Sequence, residues 1–226
     1  METCELWIHQ EMFIDSLLAE YDLTDCNAVK TPLDSDHPFG LATDVHMPVS
    51  NLTRIFQRIV GSLLFLQICS RPDISFAVLV LSQHCANPEP RHLAAAKRVL
   101  RYLKGTRSYR LHYGGKNRQL PLSGLSDADW GHWAGDRKDC ASVSGFLWSL
   151  GGGPISWSAK KQNCVSLSTT EAKYVALTRA IQEGIWLHQS LAQFQLPCLL
   201  LSSSAPIMLA HSLSQPTIPI MARPNT

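Results

Sequence analysis

Three carboxylates stand where metal-assisted chemistry would use them. Asp127 and Asp129 lie in Leu125-Ser126-Asp127-Ala128-Asp129-Trp130, and Glu171 lies in Ser166-Leu167-Ser168-Thr169-Thr170-Glu171-Ala172-Lys173-Tyr174. A pair such as Asp127 and Glu171 would suit magnesium, because a hard divalent cation takes oxygen ligands. The two are 44 positions apart, so the fold must bring them together. A strand ending at Asp127, a hairpin, and a long helix with Glu171 in its first turn can do this. Each acid also has a plainer reading. Ser168-x-x-Glu171 spells a capping box, in which the glutamate reaches back to the backbone N–H of Ser168. Aspartate at a strand end commonly starts a turn.

Two other motifs carry less. Gly151-Gly152-Gly153-Pro154 could cradle a phosphate, but no Gly-Lys-Ser/Thr follows, and a hairpin turn accounts for it. Ser158-Ala159-Lys160-Lys161 contains Ser-x-x-Lys, a serine-acylation motif, but on an expected strand, where that spacing faces the wrong way.

Charge is strongly segregated. Residues 1–50 hold ten acids and one base, Lys30, whereas residues 90–126 hold nine bases and no acid. Most of the latter fall on an expected helix, Arg91 to Lys104. A block of one sign is either an electrostatic footprint for a polyanion or a solvated helix face.

The elements follow from hydrophobic period. Phe13, Leu17 and Tyr21 mark an amphipathic helix over 9–22, and 34–50 reads as a linker. Ile55, Ile59, Leu63 and Leu66 mark a second helix starting at Ser50-Asn51 and broken by Arg71-Pro72-Asp73. Ile74 to Cys85 forms a third. The basic helix follows, with Pro90 in its first turn and Gly105 as its cap. After Gly114-Gly115 the period shortens to two, giving strands over Leu120–Asp129, Phe146–Leu150 and Ile155–Ala159. The longest helix spans Ser168 to Phe194, with Tyr174, Leu177, Ile181, Leu187, Leu191 and Phe194 as its expected buried side. Cys198–Leu201 reads as a short strand, Ala205–Leu213 as a weak helix, and the proline-bearing tail as unfolded.

Apolar content of 45% and charged content of 17% are those of a globular protein. Seven scattered cysteines without a Cys-x-x-Cys pair read as reduced thiols of an intracellular, cytoplasmic or nuclear protein. The nine histidines form no zinc-type spacing with them. The first residues lack the apolar core of a signal peptide, and the run Ile59–Ser70 reads as too short to span a bilayer. No membrane association is expected.

Longer stretches carry a resemblance. Gly61-Ser62-Leu63-Leu64-Phe65-Leu66, Arg71-Pro72-Asp73-Ile74-Ser75-Phe76-Ala77-Val78 and Ala96-Lys97-Arg98-Val99-Leu100-Arg101-Tyr102-Leu103-Lys104-Gly105-Thr106 resemble the segment following the reverse transcriptase of copia-type LTR retrotransposon polyproteins. Ser126–Trp130, Gly152–Ser158 and Leu167–Tyr174 resemble the ribonuclease H domain of the same polyproteins. The similarity is collinear from about Ile8 to Leu196.

This resemblance implies an α/β fold with a ribonuclease H-like mixed sheet and flanking helices, preceded by a mainly helical lobe. It divides the chain into an end-of-reverse-transcriptase helix and linker (1–50), a helical connection segment (51–118), a ribonuclease H-like domain (119–213) and a disordered tail (214–226). In that family, two magnesium (or manganese) ions assist water in cutting the RNA strand of an RNA–DNA hybrid. By position, Asp127 and Glu171 match catalytic and metal-binding carboxylates, and Asp129 matches a common residue without an assured metal role. Arg91, Lys97, Arg98, Arg101, Lys104 and Arg107 would track nucleic-acid phosphates. Aligning Ile207-Met208-Leu209-Ala210 with the helix after the fourth strand puts Ser202 at the third carboxylate position. The family's later Lys-His-Ile-Asp motif is absent, as is the polymerase Asp-Asp motif. The resemblance therefore implies a retrotransposon fragment without polymerase activity and with impaired hybrid cleavage. Its partners would be an RNA–DNA hybrid or other nucleic acid and the rest of a reverse transcriptase. The alternatives are a non-catalytic nucleic-acid-binding module and a functionless relic.

Overall fold

A computed structural model describes residues 5–33, 50–114, 122–129, 141–194 and 207–209. The linker 34–49, the expected strand Cys198–Leu201, Ser202 and the tail from 210 lie outside the described residues. The chain divides into two compact units, one of residues 8–110 with 223–226, the other of residues 1–7 with 111–222.

The first unit is helical: α1 (Glu11–Glu20), α2 (Ser50–Cys69), a short 3-10 turn at Pro72–Ile74, α3 (Ser75–Ser82) and α4 (Pro90–Gly105). The expected third helix, Ile74 to Cys85, is found at Ser75–Ser82, with Ile74 closing the tight turn that Pro72 starts. Phe56, Ile59, Leu63 and Leu66 of α2 are fully buried with Leu81 and Leu103. Burial at that level stabilises by about 1.5–3 kcal/mol per large side chain. Asn51–Cys69 is also long and apolar enough, by length and composition, to cross a membrane, so the run Ile59–Ser70 understated this helix.

A buried charge joins the turn before α3 to the end of α4. Arg71, 1% exposed, donates through Nε and Nη2 to the Asp73 carboxylate at 3.0 and 2.8 Å. Its Nη1 and Nη2 also donate to the carbonyl and hydroxyl of Thr106 after α4. Tyr102 donates its hydroxyl to Asp73 Oδ2 at 2.8 Å. At the other end of α4, the Glu89 N–H donates to His92 Nδ1 at 2.9 Å and completes a capping box.

The second unit is mixed α/β. Strands β1 (Glu5–Ile8) and β2 (Leu111–Gly114) form a two-stranded sheet. Neither strand is expected from hydrophobic period. β3 (Ser123–Asp129), β4 (Val143–Leu150), β5 (Gly153–Lys161) and β6 (Ile207–Leu209) form a second sheet in the order β5-β4-β3-β6. β3, β4 and β5 pair antiparallel, and β6 runs parallel to β3. Gly151 (φ +61°) and Gly152 (φ +89°) turn the β4–β5 hairpin in the left-handed region that favours glycine.

Two expectations are corrected here. Ile207–Leu209 is a strand and not part of a helix over Ala205–Leu213, because its backbone groups pair with Gly124, Leu125 and Ser126. The alignment that placed a third carboxylate position at Ser202 used that helix and loses its anchor. The second correction concerns α5 (Thr169–Gln193), whose sheet-facing side is made of small residues, Ala172, Ala176, Ala180 and Gly184, together with Leu187. Tyr174, Ile181 and Phe194 are exposed. Close packing on Trp148 explains the choice: its indole fills the space that a side chain at Gly184 would take, and its Nε1 donates to Ala180 O at 3.0 Å.

Candidate metal centre and nucleic-acid face

Strand register decides where the first carboxylate points. Gly124 is paired with Trp148, and a Cβ on Gly124 would meet that indole at 2.9 Å. Trp148 in turn bonds α5, so Gly124, Ser126 and Ala128 belong to the face that α5 covers. Successive side chains alternate across a strand. Leu125, Asp127 and Asp129 therefore belong to the opposite face. Ser126 is buried, whereas Asp127 and Asp129 are exposed. The Ala128 N–H donates to Asp127 Oδ1 at 2.9 Å, as in a turn-forming aspartate.

Glu171 sits in the first turn of α5. Its Oε2 accepts the Leu167 N–H at 2.6 Å, while its own N–H donates to Ser168 Oγ at 3.1 Å. The capping reading is therefore the one realised, with the glutamate reaching Leu167 rather than Ser168. The start of α5 is fixed to the sheet by Gln162, which sequence reasoning passed over. Its Nε2 donates to Ser144 Oγ and to Ala172 O, and its Oε1 accepts from Ser166. Nothing in hydrophobic period marks such a residue; its role comes from position after a strand and before a cap.

Asp127 thus belongs to the open face of the sheet, and Glu171 to the first turn of the helix that packs on the other face. Among the described residues, no group of three or more His, Cys, Asp and Glu side chains could hold a metal ion. The sequence adds a stronger limit: no Asp or Glu follows Glu183. Whatever the alignment around Ser202, the C-terminal 43 residues supply no carboxylate ligand. Among the described residues, the donor set does not fit a pair of divalent ions, whose mutual repulsion several carboxylates must offset.

The basic residues divide into two groups. Arg91 pairs with Glu89 at 2.8 Å, and Arg107 lies 3.4 Å from Asp15 and 3.8 Å from Glu11. Arg98, Arg101 and Lys104 hold the segment before the linker. Arg98 donates to Thr31 Oγ1, Arg101 to Asn27 O and Lys104 to Cys26 O. The last two acceptors are neutral carbonyls, which orient a cation without cancelling its charge. Lys97 is exposed. Lys97, Arg101 and Lys104 follow at intervals of four and three and so share one face of α4.

Comparison with known proteins gives relatives that match from about half to most of the chain. It is 37% identical over 195 residues to "Retrovirus-related Pol polyprotein from transposon TNT 1-94" of Nicotiana tabacum, matching 85% of this chain and 14% of that protein. It is 36% identical over 181 residues to "Uncharacterized mitochondrial protein AtMg00810" of Arabidopsis thaliana, 80% of this chain and 72% of that one. It is also 48% identical over 128 residues to "Secreted RxLR effector protein 161" of Plasmopara viticola, 57% of this chain and 87% of that protein. The chain thus spans only a small part of the tobacco polyprotein. No family model and no solved structure matches the chain.

Proposed function

Since the chain belongs to the family of copia-type, retrovirus-related Pol polyproteins of transposons, we propose that it is a polyprotein fragment with a ribonuclease H-like unit that binds nucleic acid without cleaving it. The observation that carries the non-cleaving part is the shortage of carboxylates: none from 184 to 226, and among the described residues no group of three or more candidate metal ligands. The order of three antiparallel strands, a long helix and a strand parallel to the first supports the ribonuclease H-like reading. Asp127 and Glu171 then occupy positions of catalytic carboxylates and serve as a turn and a cap. The oriented row Lys97, Arg101 and Lys104 supports binding to phosphates, which needs charge but no base contacts.

The test is a labelled RNA–DNA hybrid incubated with the purified chain, in magnesium and then manganese. No cutting above background is expected, together with hybrid binding that falls steeply with salt. Magnesium-dependent cutting abolished by Asp127→Asn would overturn the non-cleaving part. Binding unchanged by charge reversal at Lys97, Arg101 and Lys104 together would remove the nucleic-acid part.

A relic without a selected role is the second reading. The same lack of carboxylates favours it, and loss of binding in that assay would leave it standing alone.

A further inference from the structure

The outward side of α2 is apolar where a helix at a protein surface is normally polar. Its buried side is built from Phe56, Ile59, Leu63 and Leu66. The other side carries Arg54 and Arg58 in its first half, then Gly61, Leu64, Phe65 and Ile68. Those four follow at i, i+3, i+4 and i+7 and form a stripe about 10 Å long. Ile68 is 65% exposed, Phe65 50% and Leu64 38%. At Gly61 nothing lies within 4 Å of where a Cβ would stand, so the stripe has a notch beside Phe65. Phe65 is held upright by an edge-on contact with Phe13 of α1, ring centroids 5.3 Å apart. The second half of α2 is thus apolar on both its buried and its outer side, a pattern normally found in helices that are covered.

We propose that this stripe docks a helix of the remaining Pol polyprotein, with the notch at Gly61 receiving one of its ridges. The proposal rests on the family reading above. An alignment covering 85% of this chain must include α2, and that alignment is only 14% of the tobacco polyprotein. In such a polyprotein, the same helix is embedded in a much longer chain that can supply its cover. A glycine between larger side chains admits the close approach that ridge-into-groove helix packing requires. The absence of acidic side chains among Gly61, Leu64, Phe65 and Ile68 fits an apolar partner helix and not a basic one.

The experiment is capture of the tagged chain by the tobacco polyprotein from which the aligned residues have been deleted. Capture is expected. Phe65→Glu and Gly61→Trp should each weaken it by about tenfold or more, as central contact residues do. Ile185→Glu, which alters an exposed apolar position on α5, should leave it unchanged. Gly61→Trp occupies open space, and circular dichroism verifies that both α2 variants retain their helix content. Capture insensitive to both α2 variants overturns the surface while leaving association with the polyprotein intact. No capture at all overturns the association and the surface together. Sedimentation that shows a dimer lost on Phe65→Glu would assign the stripe to a second copy instead. Phe65-dependent binding to lipid vesicles would assign it to a bilayer.

Discussion

Tyr102 shows how a single side chain ties stability to pH. Burial first, and then the neighbouring Asp73 carboxylate, push its hydroxyl well above the ordinary value near 10. Burial likewise raises Tyr21 and Tyr113. A raised folded-state value means that the unfolded chain releases its proton first as pH rises. Stability should therefore be intact below about pH 10 and fall progressively above it. Tyr102→Phe should flatten that alkaline decline, because Asp73 keeps its bidentate pair with Arg71. Urea unfolding at a series of pH values measures it; an unchanged slope in the variant would show that Tyr102 does not carry the effect. The residue scale is also where the sequence was least sufficient. The types of Asp127 and Glu171 are plain, but the face each occupies depends on a pairing with Gly145 and on a backbone N–H at Leu167.

At the scale of elements, α5 and the sheet meet through an indole enclosed by two glycines. Alanine is the better helix former than glycine by about 1 kcal/mol. Gly184→Ala should nevertheless destabilise the protein, by about 1–3 kcal/mol, because the new methyl overlaps the Trp148 ring. Near-ultraviolet circular dichroism together with thermal unfolding reads both the indole and the stability; a more stable variant would mean that the helix sits looser on the sheet. Most elements were legible from period alone, including α2, α4 and the β4–β5 hairpin. The failures have physical reasons. Hydropathy gives weight to Tyr174 and Ile181, whereas close packing selected Ala172, Ala176 and Ala180. Ile207-Met208-Leu209 is too short to show any period, and its strand exists only through β3. The basic helix was legible as charge, but the hydrogen bonds of Lys104, Arg101 and Arg98 to Cys26, Asn27 and Thr31 span more than 60 residues.

For the molecule as a whole, the two units differ in how much they bury. Among the described residues, the helical unit has a continuous core running from Ile14 to Leu103, while the sheet unit centres on Leu122, Trp148 and Leu187. The described tryptophans, Trp7, Trp148, Trp157 and Trp186, all belong to the sheet unit. Tryptophan fluorescence should therefore report an unfolding transition at lower urea than the larger, later part of the helical circular dichroism signal, which α1 to α4 contribute. Superimposable curves would mean that the chain unfolds as one cooperative body.

The pairing of β1 with β2 sets a timetable for synthesis. Glu5–Ile8 leaves the ribosome about one hundred residues before Leu111–Gly114, the strand it must join. At roughly 5–20 residues per second, that strand waits for about 5–20 s with its edge unmatched. Residues 8–110, which form most of the other unit, emerge during this interval. Leu6, Trp7 and Ile8 are thus left as an apolar stretch with an unmatched edge, open to a chaperone, until the partner strand emerges.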